Sequence, residues 1–240
     1  MNRIGHAWSV AQTLAYRDIK VRYAQTALGA VWAIAQPLGM AAVLWITSYG
    51  VGQKESFPAL FAGWIVWSAF SFAGLQGGLS LVNNLSLVQK TPIPHLAYPL
   101  SKALVASFDA AVGLFVLLLF QGPSGMIVFI PLLWSLLLGF GFGTWMALLT
   151  TRSKDLLSGL PFLFQMLFFL TPVWYSVPTH ASWIQWNPLS SPVIAAKQSI
   201  STTLLEPTGP WALSVAFTIV LFITGPLALR YFGKNSADFL

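Results

Sequence analysis

Few residues in this 240-residue chain could do acid–base chemistry: six acids and three histidines, all scattered. His6, His95 and His180 are far apart in sequence, so no metal site is expected from them. Cysteine is absent, which excludes disulfides, thiolate metal sites and cysteine nucleophiles. The phosphate loop G-x-x-x-x-G-K-[ST] is absent too; the one Gly-Lys pair, Gly233–Lys234, runs into Asn235. Without that backbone cradle and its hydroxyl for Mg²⁺, the chain is not expected to hydrolyse ATP. One acid stands apart. Asp109 follows Lys102 by seven positions, about 10 Å along a helix, inside an apolar stretch. Ionisable groups at such depth are costly and usually face a bundle interior or a watery cavity. Asp109 is therefore either a channel-lining or gating carboxylate, or a structural one, neutral or hydrogen-bonded to Ser107 or a neighbouring helix. No second intramembrane acid accompanies it, so a proton relay is not supported.

The elements that must position these residues follow from composition. The chain is 56% apolar and only 8% charged, against roughly 25% charged in soluble domains. A soluble fold could not cover its surface with so few charges. Six stretches are long and apolar enough to cross a bilayer core about 30 Å thick. They run over about 28–51, 57–82, 100–121, 126–150, 156–174 and 211–230. The roughly ten-residue alternating segments of a β-barrel are missing. The predicted fold class is an all-α membrane protein, with residues 28–232 as its transmembrane domain and 233–240 as a tail. Residues 1–27 are read as a cytoplasmic interfacial segment, and Met1–Tyr23 lacks the apolar core of a signal peptide. Trp8, Ala11, Leu14 and Ala15 instead recur at helical spacing among polar positions, as in a basic helix lying on membrane lipids.

Ten of the twelve Lys and Arg fall at one end of these spans, in the N-terminal segment, the 2–3 and 4–5 loops and the C-terminus. Lys54 and Lys197 are the two on the other side. That asymmetry predicts both termini in the cytoplasm. A net charge of +6 without a dense basic cluster suits anionic lipid headgroups and gives no nucleic-acid face. The cytoplasmic stretch Asn83–Pro99 and the outer stretch Tyr175–Pro210 are long for structureless loops, which marks them as working parts. Ser191 and Pro192 resemble an N-cap and first helical residue, predicting a short helix over about 192–205.

Several segments, in order, resemble ABC-2 type permeases that export polysaccharides. In RDIKVRYAQTALGAVWAIAQPL, a basic Tyr-containing interfacial helix (Arg17, Lys20, Arg22, Tyr23) leads through Gly29 and Trp32 to Gln36–Pro37. FAGWIVWSAFSFAGLQGGLSLVNN is similar to the family's second span. LVQKTPIPHLAYPLSKALVASFDAAVG is similar to its coupling segment and third span, with Asp109 at the matching place. TPVWYS and Asn187–Pro188–Leu189 resemble the end of the fifth span and a re-entrant outer segment. Where relatives carry an aromatic before the coupling proline and an Arg after it, this chain has Ile93, Pro94 and His95.

The resemblance implies a permease that forms a homodimer in the inner membrane. It implies pairing with two copies of an ATP-binding subunit, which would hold ATP and Mg, with no cofactor in this chain. Lys90, Pro92, Pro94 and His95 would then couple to the ATPase. The substrate class implied is lipid-linked polysaccharide, such as O-antigen, capsule or teichoic acid. A sugar chain needs a hydrated conduit, because each hydroxyl buried without a partner costs several kcal/mol on apolar transfer scales. Trp32, Trp64, Trp67, Phe70, Asp109, Trp174, Tyr175, Asn187 and Pro188 are the conduit and gate candidates, although any one aromatic is also suited to packing or lipid contact. Gly74-x-x-x-Gly78 and Gly139-x-x-x-Gly143 are read as packing faces within the bundle. A small-drug or lipid permease of the same architecture, and an ion-coupled carrier, are the alternatives.

Overall fold

Breakers punctuate the apolar sequence into helices, and a computed structural model shows where. It describes residues 3–24, 26, 29–53, 55–91, 93–177, 182–202 and 210–232. Pro92, His180, Leu205 and the 233–240 tail lie outside the described residues. Every regular element among those described is helical. α1 is Arg3–Tyr23 and α2 is Trp32–Gly50, entered through a 3-10 turn at Gly29–Val31. α3 is Phe57–Asn83, started by the Ser56 hydroxyl, which accepts from the Ala59 N–H at 3.4 Å, with Pro58 in its first turn. α4 is the short helix Leu85–Lys90.

α5 (Ala97–Gln121) ends at Gly122, whose φ of 64° is open to glycine. A 3-10 turn, Gly122–Val128, then leads into α6, Phe129–Thr150. α7 covers Lys154–Leu170, α8 Ser190–Thr202 and α9 Trp211–Phe232. By length and composition, four helical stretches could cross a membrane: 29–50, 57–83, 211–232 and the continuous run 97–150, which contains α5 and α6. α7 has 17 residues.

Two boundaries differ from the sequence expectation for a local reason. The fifth apolar segment was predicted to reach Trp174, but α7 stops at Leu170. Pro172 crowds the residue before it, and Thr171 is extended at φ −105°, ψ 132°. The third segment starts three residues early, at Ala97, because Pro99 sits in the first turn, where its missing N–H costs nothing.

α3 and α6 form the centre. Their backbones nearly touch: a Cβ added at Gly143 would lie 2.6 Å from the Ala73 carbonyl oxygen, and one at Gly139 2.7 Å from that of Phe70. Both glycine pairs thus serve packing inside the chain. Across this contact Ser135 Oγ donates to the Val66 carbonyl at 2.6 Å and Thr150 Oγ1 to that of Gly78 at 2.8 Å. α9 lies on the other side of α6, where Gly141 admits the Leu221 backbone. Trp134 and Trp145 donate there to Thr218 and Thr224. α5, α8 and α2 surround α3, and α1 packs against α5. The side of α1 turned inward carries Ala7, Ala11, Leu14 and Ala15, while Trp8 is exposed. Its partners are Ala97, Leu100 and Leu104 at one end and Leu81, Tyr98 and Leu148 further along.

Candidate functional site

Charges buried in an apolar bundle need partners, and here they gather in two places. The first is the seam between α1 and α5. Asp18 accepts from Lys102 Nζ at 2.5 Å and from Arg17 Nη2 at 2.8 Å. One turn later, Arg22 Nη1 donates to Asp109 Oδ2 at 2.6 Å. The Arg22 guanidinium also lies over the Phe72 ring, 4.8 Å from its centroid, a favourable cation–π placement. Asp18 and Arg22 are four apart, Lys102 and Asp109 seven apart, so each couple shares one helix face. Arg17 Nη2 reaches the Asn84 side-chain oxygen at 3.3 Å, extending the seam to the α3–α4 junction. Burial alone would raise the Asp18 carboxyl, but Lys102 and Arg17 outweigh it and hold the group below the usual carboxylate range.

This geometry gives Asp109 a partner that sequence reasoning did not name. Ser107 is not that partner: its hydroxyl donates to the Leu104 carbonyl. Lys20 is exposed beside the Tyr16 ring, and Tyr23 is half-buried.

The coupling candidates lie next to the seam. Leu87, Val88, Ile93 and Leu96 pack onto the cluster of Leu14, Leu81 and Tyr98. Ser86, Gln89 and Lys90 remain exposed, while Pro94 and His95 are half-buried. Thr91 Oγ1 closes α4 by donating to the Leu87 carbonyl at 2.5 Å, and the Pro94 carbonyl accepts the Ala97 N–H, opening α5. Burial pushes the His95 imidazole down from its ordinary value, favouring the neutral ring.

The second place is on the opposite side. Lys197, in α8, is almost fully buried, and its Nζ lies 2.8 Å from Glu55 Oε1. The same ammonium donates to the carbonyls of Tyr175 at 2.9 Å and Pro172 at 3.3 Å. Ser176 Oγ donates to Glu55 at 2.6 Å, and the Ser176 N–H to the Gln53 side chain. One lysine therefore ties α8 to the α2–α3 connection and to the segment after α7. Burial would raise the Glu55 carboxyl, yet Lys197 and Ser176 hold it below its ordinary value. Burial lowers the Lys197 ammonium, and Glu55 offsets only part of that. In the sequence Lys197 and Lys54 mark orientation, and Lys197 also interrupts the stretch that could otherwise read as a seventh span. The available signal was a lysine among Ala195, Ala196 and Ser199, a stretch too apolar to leave it unpaired.

Asn187 and Pro188 belong to this second assembly. Asn187 Nδ2 donates to Thr171 Oγ1 at 3.2 Å, and its Oδ1 accepts from the Leu189 N–H. The Pro188 carbonyl accepts from Ser214 Oγ on α9 at 2.5 Å. Trp174 and Tyr175 meet edge to face at 5.2 Å. The other aromatics divide. Trp67 and Phe70 are core residues, with Trp67 against Phe168 and Phe70 stacked on Phe164 at 5.4 Å. Trp64 is half-buried against Phe168, and Trp32 is 40% exposed.

A family profile described as ABC-2 type transporter matches residues 9–205. The chain belongs to that family. Among curated relatives, an O-antigen export system permease protein RfbA of Klebsiella pneumoniae is 23% identical over 238 residues, covering 92% of this chain and 88% of the relative. A second protein of that name from Klebsiella pneumoniae is 23% identical over 208 residues, 80% of each chain.

Proposed function

We propose that this chain is the transmembrane subunit of an ATP-driven exporter that moves lipid-linked polysaccharide outward across the inner membrane. The observation that carries the reading is similarity along nearly the full chain to export permeases named for O-antigen. In this reading α2, α3, α5, α6, α7 and α9 all span the bilayer, α8 belongs to a re-entrant outer segment, and both termini are cytoplasmic. Two ATP-binding subunits hold ATP and Mg.

The exposed sides of α2 and α7 support a homodimer. Gln36 and Gly39 share an exposed side of α2 with Trp32 and Val43; Ser158 and Gln165 are exposed on α7 beside Phe162 and Phe169. Amides aimed at lipid would be costly. Covered by a second copy, or lining a hydrated conduit between copies, they are not. The partner ATPase presses on Leu85–Pro99, where Lys90 is exposed at the tip. The α1–α5 seam carries that displacement into α5, because Asp18–Lys102 and Arg22–Asp109 join the two helices side chain to side chain. The glycan leaves past the outer assembly around Asn187, Pro188, Trp174 and Tyr175.

Deleting the gene should strip polysaccharide from the cell surface and leave drug sensitivity unchanged, and the permease should copurify with an ATP-binding protein. The reverse pattern, intact surface glycan with altered drug tolerance, would assign the chain to a small-molecule exporter. Transport by the isolated chain in proteoliposomes, abolished by Asp109→Asn, would assign it to an ion-coupled carrier.

A further inference from the structure

Beside the Lys197 tie lies a cavity of about 330 Å³, within the size range of small-molecule sites. Its wall includes Glu55, Tyr175, Ser176, Lys197, Gln198 and Ser201. Hydrogen-bonding capacity, rather than charge, defines what it can hold. An ammonium has three donors, and those of Lys197 are engaged by Glu55 and the carbonyls of Pro172 and Tyr175. None is left for a phosphate or carboxylate, which Glu55 would also repel. A metal cation or ammonium would meet Lys197 itself, 2.8 Å from the carboxylate that, among the described residues, could attract it. The described part of the wall is therefore close to neutral.

Acceptors remain unspent. Among the described residues only Oε1 of Glu55 is engaged, and the Gln198 side-chain oxygen is buried with no hydrogen-bond partner, so it meets a ligand once its side chain turns into the cavity. Ser201 adds a hydroxyl at the rim, where it is exposed. A neutral ligand rich in hydroxyl donors, about one sugar ring in size, satisfies those acceptors without bringing charge.

We propose that this cavity is a saccharide subsite on the outer side of the permease, contacting one sugar residue through Glu55 and Gln198 as the glycan leaves. It rests on the export reading above. The test uses the full permease–ATPase complex in lipid nanodiscs and two variants, Gln198→Leu, which removes an acceptor, and Ser201→Phe, which fills the rim from an exposed position. The probe is an oligosaccharide released from the host's own surface glycan, followed by saturation-transfer NMR. Wild-type complex should transfer saturation to the sugar. Gln198→Leu should lose it by about fivefold or more, the effect of one lost hydrogen bond. Ser201→Phe should lose it by exclusion from the rim, both with the complex still assembled, and surface glycan should fall in cells. Equal transfer in wild type and both variants, or competition by inorganic phosphate, would overturn the subsite. A deletion strain separates the two claims: glycan lost on deletion but fully exported and bound by both variants defeats the subsite alone, whereas glycan retained on deletion defeats the export reading.

Discussion

The two charged regions solve the same problem at different degrees of burial within the chain. At the α1–α5 seam, the Arg22 and Asp109 side chains are 31% and 33% exposed, and Asp18 shares its charge between two cations. At the Lys197 tie, the lysine side chain is 9% exposed and Glu55 17%. A pair that the protein encloses only partly can separate and re-form at modest cost where a polar or hydrated face takes up the released charges. A buried pair cannot: breaking it strands a charge in an apolar setting. The seam is suited to motion and the tie to holding.

The sharpest way to break this contrast is at Lys197. Lys197→Met leaves Glu55 buried and unpaired and should cost about 3–5 kcal/mol, read as a large drop in the thermal midpoint of the detergent-purified protein. Adding Glu55→Leu should recover most of that loss; a double variant as unstable as the single would remove the tie from the account. At the seam, Arg22→Ala should cost only about 1 kcal/mol, discounted for solvent, while lowering polysaccharide export by more than its stability change explains. The exchange Arg22→Asp with Asp109→Arg should restore part of the export, which a purely local packing defect would not.

Acid should separate the regions next. His95 is held below its ordinary value, so its folded state binds fewer protons than the unfolded one at mildly acid pH. Its contribution is complete above the unfolded value of about 6.5 and is lost as pH falls through the folded one. Glu55 and Asp18 are also depressed, and their contributions persist until pH falls below about 4. Hydrogen exchange, corrected for intrinsic rates, should therefore rise in Leu85–Pro99 between pH 7.5 and 5.5 while Ser190–Thr202 stays protected. Identical responses in the two segments would erase the distinction. The smallest effect is expected at Lys90, which is exposed at the end of α4. Lys90→Ala should leave stability within about 0.5 kcal/mol and reduce copurification with the ATP-binding subunit.

The helical class of this fold was legible because long apolar stretches bounded by Pro, Gly and polar residues have few other uses. The bond pattern of the two charged regions was not. Arg22 and Asp109 are 87 positions apart and Asp18 and Lys102 are 84 apart, and no periodicity links such pairs. Composition held a partial clue: three of the four acids among the described residues, Asp18, Glu55 and Asp109, end up in ion pairs, as scarcity in an apolar chain would suggest. The aromatic face of α3 was equally hidden. Its sequence is apolar on every side, so nothing local distinguishes the core ring of Trp67 from the half-buried one of Trp64.

The backbone contact between α3 and α6 sets what the molecule can bend. With Gly139 pressed onto the Phe70 backbone and Gly143 onto that of Ala73, the two helices meet there main chain to main chain. Sliding by one residue would drive a methyl or a ring into a carbonyl. That pair behaves as a keel, and whatever rocks during a transport stroke must pivot around it.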